Sequence, residues 1–228
     1  MREPIIAIDG PSGAGKSTLS RLLAERLGFT HIDTGAMYRC VALAVDRQQL
    51  DLADVAGVTR LCDNLTIDFL RTSAGQTVHL NGEDISSAIR QPHISLLTSR
   101  VAAIPEVREA MVAQQREMGQ KGGVVLEGRD IGSVVFPDAE VKFYLSASAR
   151  ERGRRRFEEL RLAGQSVDLE QTIAEVEERD LADQGREHSP LVQPEDAVLI
   201  DSTGLDIEQV LARMLDYVAA KRPQGAGA

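Results

Sequence analysis

Gly10-Pro11-Ser12-Gly13-Ala14-Gly15-Lys16-Ser17 decides how this chain is read. The eight residues follow the pattern G-x-x-x-x-G-K-S. They stand between an apolar run, Pro4-Ile5-Ile6-Ala7-Ile8-Asp9, and a stretch from Thr18 to Gly28 in which Leu19, Leu22, Leu23 and Leu27 recur at helical spacing. A buried strand, a glycine-rich turn and an amphipathic helix in that order are the context a phosphate-binding loop requires. The glycines let consecutive backbone N–H groups turn inward around a polyphosphate, Lys16 adds a positive point charge, and Ser17 offers a hydroxyl to a hard cation such as Mg²⁺. The helix beginning at Lys16 directs its positive dipole end at the same anion.

The whole chain is consistent with a small, anionic ligand rather than a polyanionic surface. Its 228 residues are 43% hydrophobic, enough for one well-cored domain, and the net charge of −9 argues against a surface built for nucleic acid or anionic lipid. Cys40 and Cys62 stand apart with no C-x-x-C spacing, so they predict buried free thiols rather than zinc or redox chemistry. The apolar run before Asp9 is too short for a signal peptide, and no stretch of about eighteen apolar residues predicts a membrane span. The expectation is a soluble cytoplasmic protein.

Outward from the loop, strands and helices alternate. Phe29-Thr30-His31-Ile32-Asp33 predicts a short strand, followed by the polar cluster Asp33-Thr34-Gly35-Ala36-Met37-Tyr38-Arg39 and a helical run to about Val45. Such a cluster falls at the carboxyl edge of a parallel sheet, where ligands bind, although Tyr38 and Arg39 also suit an ordinary helix surface. His31 reads as a strand residue. A helix is predicted from about Asp54 to Leu65, and then the pattern changes: Thr66-Ile67-Asp68-Phe69-Leu70 and Thr77-Val78-His79-Leu80 flank a turn at Gly75, and Asn81-Gly82 makes a second turn before Asp84-Ile85. This predicts a small antiparallel sheet inserted into the β/α chain. Two helices follow, His93 to Ala103 with Ser99, and Pro105 to about Gln120 with Arg108.

Gly122-Gly123-Val124-Val125-Leu126 predicts a second buried strand closed by Glu127-Gly128-Arg129-Asp130. A carboxylate at a strand end beside a phosphate loop is placed for a metal, which makes Glu127 a candidate against the plainer reading of a surface acid before a turn. Val141 to Leu145 predicts a third core strand. Ser148 then opens a helix carrying Arg150, Arg152, Arg154, Arg155, Arg156 and Arg161, interleaved with Glu151, Glu158 and Glu159 that can pair as on any solvated face. After Gly164, Asp168 starts a helix on which Arg179, Asp183 and Arg186 share one face, either as a functional set or as an exposed ion pair. Ala197 to Asp201 is the last strand, Asp206 to Ala220 the closing helix, and the Pro/Gly/Ala-rich tail beyond reads as disordered.

Which phosphate chemistry these parts perform follows from what is missing and what is abundant. There is no guanine-reading N-K-x-D. A kinase for a hydroxyl needs a carboxylate to orient or deprotonate the acceptor, whereas a phosphate monoester, with a second pKa of about 6, is already a dianion at neutral pH. A monophosphate kinase needs cations instead, because two like charges about 5 Å apart repel by about 3 kcal/mol at an effective dielectric near 20. Lys16, Arg39, Arg129, Arg179 and Arg186 supply them.

The motifs resemble those of bacterial cytidylate kinases across nearly the whole chain. They are G-P-S-G-A-G-K-S at Gly10 to Ser17, D-T-G-A-M-Y-R at Asp33 to Arg39, E-G-R-D-I-G at Glu127 to Gly132, V-F-P-D-A at Val135 to Ala139, E-R-D-L-A-D-Q-G-R-E-H-S-P-L at Glu178 to Leu191, and D-S-T-G-L at Asp201 to Leu205. The resemblance implies an α/β fold with a phosphate-loop parallel sheet flanked by helices. It implies an inserted monophosphate-binding sheet at about 61–99, a short helical lid at about 150–167 that closes over ATP, and a tail at about 221–228, all in one kinase domain. It implies that Gly10 to Thr18 bind ATP with Mg²⁺ at Ser17 and Glu127, that Thr34, Tyr38, Arg39, Arg129, Arg179 and Arg186 surround the monophosphate, that Ser99, Arg108 and Asp130 read cytosine, and that Asp183 contacts the sugar. Many members of that family have Asp where this chain has Glu127. The expected protein is a monomeric, Mg²⁺-dependent kinase of CMP and dCMP, weaker on UMP. The alternatives are a phosphate-loop kinase of a small hydroxyl metabolite and a non-catalytic ATP-binding module.

Overall fold

The computed structural model describes residues 2–72, 75–162 and 164–221. In chain order its elements are β1 (Ile5–Asp9), α1 (Lys16–Leu27), β2 (Thr30–Asp33), α2 (Thr34–Gln48), α3 (Val55–Asp63), β3 (Ile67–Thr72), β4 (Gly75–Leu80) and β5 (Glu83–Asp84). After a 3₁₀ turn at Ala88–Arg90 come α4 (Pro92–Val101), α5 (Pro105–Gly119) and β6 (Val124–Gly128). A π turn at Ile131–Val135 leads to β7 (Val141–Ser146), α6 (Ala149–Leu162), α7 (Leu169–Gln184), β8 (Val198–Asp201) and α8 (Ile207–Lys221). The tail expected from about 221 keeps Lys221 in α8, and 222–228 lie outside the described residues.

The chain divides into two compact units, one built from the residues up to His31 and from Lys121 onward, the other from Ile32–Gln120. The first carries the five-stranded sheet in the order β2-β6-β1-β7-β8. β1 lies parallel between β6 and β7, with Ile6 opposite Val125 on one side and Val141 on the other, and β7 continues parallel to β8. At the edge, the Thr30 N–H donates to the Gly123 carbonyl at 2.9 Å. Every residue of β1 is buried, as expected of a central parallel strand covered on both faces. Leu19, Leu23 and Ala24 of α1 and Val210, Leu211, Met214 and Val218 of α8 pack with Ile6, Ile8, Phe143 and Leu145 into one apolar core. Burying each such side chain is worth about 1.5–3 kcal/mol, which fixes α1, and therefore its first residue Lys16, against the end of β1.

The second unit holds α2 to α5 and the antiparallel sheet β3-β4-β5. Ile67 pairs with Leu80 and Phe69 with Val78, and Asn81-Gly82, at φ of 50° and 85°, forms the tight turn into β5. The polar cluster after β2 is already helical. The Asp33 carboxylate accepts from the Ala36 N–H at 2.9 Å and so starts α2 at Thr34, before Tyr38 and Arg39 rather than after them.

Candidate active site

The loop from Gly10 to Gly15 carries the chain from β1 into α1 with φ of 144°, 76° and 91° at Gly10, Gly13 and Gly15. Gly10 has a second constraint. A β-carbon there would stand 2.0 Å from the Leu145 carbonyl oxygen, so only glycine lets the loop leave β1 against β7. Lys16 is buried, its ammonium donates to the Pro11 carbonyl at 2.7 Å, and burial together with Arg129 holds its pKa well below the ordinary lysine value. Arg152 threads into the same corner. Buried on α6, it donates to the Ala147 carbonyl at 2.9 Å and the Ser12 carbonyl at 3.0 Å, and pairs with Asp180 of α7.

Ser17, exposed in the first turn of α1, donates from its hydroxyl to Glu127 Oε2 at 2.7 Å. Glu127 is buried at the end of β6, and its Oε1 lies 3.0 Å from His31 Nε2. An exposed hydroxyl held against a buried carboxylate offers two hard oxygen donors side by side, which suits Mg²⁺, an ion that keeps several waters and takes further oxygens from phosphates. Among the described residues no group of three or more His, Cys, Asp or Glu could hold a metal.

Beyond β6 the chain turns sharply, and Asp9 holds the turn. Its carboxylate is buried at the end of β1 and accepts from the Ile131 N–H at 2.9 Å and the Gly132 N–H at 2.7 Å. Burial pushes Asp9 up to about 6, with Asp130 adding to the rise and the two N–H groups opposing it. The turn presents Arg129, whose Nε donates to Asp183 Oδ2 at 2.8 Å, and Asp183 also receives Arg186. Arg179, exposed on α7, contributes to the positive potential felt by both Lys16 and Asp183. Burial raises the pKa of Asp183, but Arg129 and Arg186 outweigh it and hold the carboxyl below the usual range.

In the second unit Thr34 is buried in the first turn of α2, and Arg39 NH2 pairs with Asp33 at 2.8 Å. Arg108, buried on α5, places its guanidinium 5.5 Å from the centre of the Tyr38 ring and donates to the Ala102 carbonyl at 3.3 Å. Ser99 lies exposed on α4.

The sequence model of cytidylate kinases matches residues 6–220. A cytidylate kinase of Syntrophotalea carbinolica is 62% identical over 221 residues, covering 97% of this chain and 94% of its own. This chain belongs to the cytidylate kinase family. A second relative, the cytidylate kinase of Geobacter sulfurreducens, is 56% identical over 98% of this chain and 96% of its own length. Among solved structures, an uncharacterized protein from Eubacterium ventriosum superposes with a TM-score of 0.54 over 96% of this chain and 99% of its own, at 11% identity, a likeness of fold alone.

In this cytidylate kinase the first unit holds Lys16, Ser17 and Thr18 at the start of α1, Glu127, Arg129 and Asp130 at the end of β6 and just beyond it, and Arg179 and Asp183 on α7, whereas Arg186, expected on the same helix face, lies just past its end at Gln184 and still reaches Asp183. The second brings Tyr38 under Arg108 and sets Arg39 on Asp33. Three residues at this site had no signal strong enough to mark them in the sequence. Asp9 reads as the polar end of a strand, Arg152 as one arginine in a charged run, and His31 as a strand residue, yet Asp9 holds the turn after β6, Arg152 reaches the loop, and His31 meets the carboxylate of Glu127.

Proposed function

We infer that this chain transfers the γ-phosphoryl group of ATP to CMP or dCMP, giving ADP and CDP or dCDP. A phosphate oxygen of the monophosphate attacks the γ-phosphorus, the bond to the β–γ bridging oxygen breaks, and ADP leaves. The acceptor is already a dianion, so no side chain takes a proton from it. The observation that carries this reading is the electrostatics of the first unit: Lys16 is buried, Arg129 and Arg186 converge on Asp183, and Arg179 adds to their field. Such a set stabilises charge moving across the transferred group and has no use in a module that only binds ATP.

The roles assigned are these. Gly10, Pro11, Ser12, Gly13, Ala14, Gly15, Lys16, Ser17 and Thr18 hold the ATP phosphates. Thr34, Tyr38, Arg39, Arg129, Arg179 and Arg186 bind the monophosphate, Asp183 the sugar, and Ser99, Arg108 and Asp130 the base. Cytosine offers an N4 donor, suited to Ser99 and Asp130, and N3/O2 acceptors, suited to Arg108. Ser17 and Glu127 would hold Mg²⁺, which would supply positive charge against the phosphates. Residues at about 150–167 act as the lid, with Arg152 as its anchor on the loop. The insert at about 61–99 serves the monophosphate, and the enzyme works as a cytoplasmic monomer that uses UMP less well. No helix among the described residues is long and apolar enough to cross a membrane.

The test is ADP release with Mg-ATP and each nucleoside monophosphate in turn. The reading requires turnover with CMP and dCMP well above UMP, AMP and GMP. Release with a small hydroxyl acceptor instead would replace it.

A further inference from the structure

His31 touches the Ser17–Glu127 pair, and the reaction as written gives it no part. Its imidazole is 11% exposed, and Nε2 stands 3.0 Å from Glu127 Oε1 and 3.1 Å from Ser20 Oγ. The direction of these bonds can be worked out. The Ser20 hydroxyl donates its only proton to the Lys16 carbonyl at 2.6 Å, so toward His31 it accepts. A carboxylate offers acceptor oxygens alone, so Glu127 accepts from His31 on Oε1 as it does from the Ser17 hydroxyl on Oε2. Nε2 therefore carries the proton, shared between Glu127 and Ser20.

Both oxygens of Glu127 are thus fixed from opposite sides, Oε2 from α1 and Oε1 from β2. The longer arm matters here. A glutamate has one more rotatable bond than an aspartate, and the Ser17 bond engages only one of its two oxygens. The His31 N–H engages the other, and through Ser20 it ties the carboxylate to the backbone of Lys16. We propose that His31 is a positioning residue of this kinase: its Nε2–H fixes the rotamer of Glu127, and so the direction in which the Glu127–Ser17 pair presents its oxygens to Mg²⁺. The proposal rests on the reading of Ser17 and Glu127 as the Mg²⁺ pair.

The experiment compares the full-length parent with His31→Met, close in size but without a donor, and His31→Gln, whose amide can donate in place of Nε2–H. ADP binding is measured by calorimetry in Mg²⁺ and again in EDTA, alongside thermal unfolding and the Mg²⁺ concentration for half-maximal turnover. His31→Met should weaken ADP binding in Mg²⁺ by about tenfold, leave binding in EDTA unchanged, and raise the Mg²⁺ requirement by a similar factor, with most of the loss restored in His31→Gln. Equal weakening with and without Mg²⁺, or a glutamine no better than methionine, overturns the role of His31. A parent that binds ADP equally well in Mg²⁺ and EDTA overturns the Mg²⁺ reading itself, and the role of His31 with it. If neither variant folds, the parent decides by nitrogen NMR: the His31 Nε2–H signal should move on adding Mg²⁺ to the ADP complex, and a signal indifferent to Mg²⁺ sinks the proposal.

Discussion

Arg129 Nε and Asp183 Oδ2 meet at 2.8 Å, with the side chains 19% and 3% exposed, and Arg186 reaches the other oxygen of the same carboxylate. The two arginines, each half-buried, enclose a buried carboxylate, unlike the exposed pair between Arg179 and Asp183 that helical spacing alone allows. Asp183→Ala should therefore cost about 2–3 kcal/mol of stability in urea melts, well above the few tenths of an exposed pair. If Asp183 also accepts from a sugar hydroxyl, kcat/KM should fall at least tenfold for CMP and little further for its 2′,3′-dideoxy analogue. Equal losses for CMP, dCMP and the dideoxy compound would reduce Asp183 to a clamp on the two arginines.

The same carboxyl gives a pH dependence with a defined sign. Its folded pKa is held below the unfolded value, so its contribution to stability is complete above about pH 4 and is lost as the pH falls through the folded pKa. Asp183→Asn should flatten the acid limb of the stability curve. A limb of unchanged slope in that variant would assign acid unfolding to other groups.

Asp9 works in the opposite direction. Its pKa rises from 3.8 to about 6 on folding, so the folded state binds the proton more tightly, and this stabilisation is full below about pH 4 and lost as the pH rises toward about 6. Two units correspond to about 3 kcal/mol. Urea melts between pH 4 and 7 should show this fall in the parent and not in Asp9→Asn. The comparison also separates Asp9 from the substrate. If no side chain acts as base, as proposed, kcat/KM for CMP should decline on acidification with an apparent pKa of about 6 that belongs to the CMP phosphate. That limb should survive in Asp9→Asn.

If Lys16 acts on the transferring phosphoryl group, as proposed, Lys16→Ala should lower kcat by roughly 10²-fold or more with the fold intact by circular dichroism. Because burial and Arg129 depress its pKa in the free protein, ATP phosphates should draw a proton onto it. Calorimetry of ATP binding at alkaline pH, in buffers of different ionisation heat, should register proton uptake in the parent and less in Lys16→Met. Near-normal turnover in Lys16→Ala would remove the loop from the chemistry.

Base choice tests the turn after β6. If Asp130 reads the base as proposed, UMP would set an acceptor against it, a mismatch worth about 1–3 kcal/mol. The ratio of kcat/KM for CMP over UMP should collapse in Asp130→Ala, and a ratio equal to the parent's would take Asp130 out of base reading.

Local signals were enough to locate the parts of this site but not to join them. The strand Ile5–Asp9 and the helix from Lys16 were legible because buried β-branched residues, glycines and leucines at helical spacing all agree over a short span. The inserted sheet was legible from Asn81-Gly82 and the alternation on either side of it. The start of α2 was misplaced because the Asp33 cap turns what looks like a polar turn into helix. Arg152 was indistinguishable from Arg154 and Arg156 by composition, yet it alone of the three is buried, since it faces α7 and the loop. The link between His31 and Glu127 spans 96 positions and depends on β2 and α1 meeting the end of β6, a fact of topology that no local pattern encodes.

Both thiols of the chain, Cys40 and Cys62, are buried in the second unit, and burial pushes them up to about 12 and about 11. The first unit contains no cysteine. Thiolate is the reactive form, so the folded protein should be silent to a thiol-labelling reagent until that unit opens. Labelling kinetics would then report the opening free energy of Ile32–Gln120 alone, while amide exchange in β1 reports the other unit. The chain carries its own pair of probes, and the ratio of the two rates, with and without CMP, would show which half of the molecule the substrate stabilises, with no label to engineer.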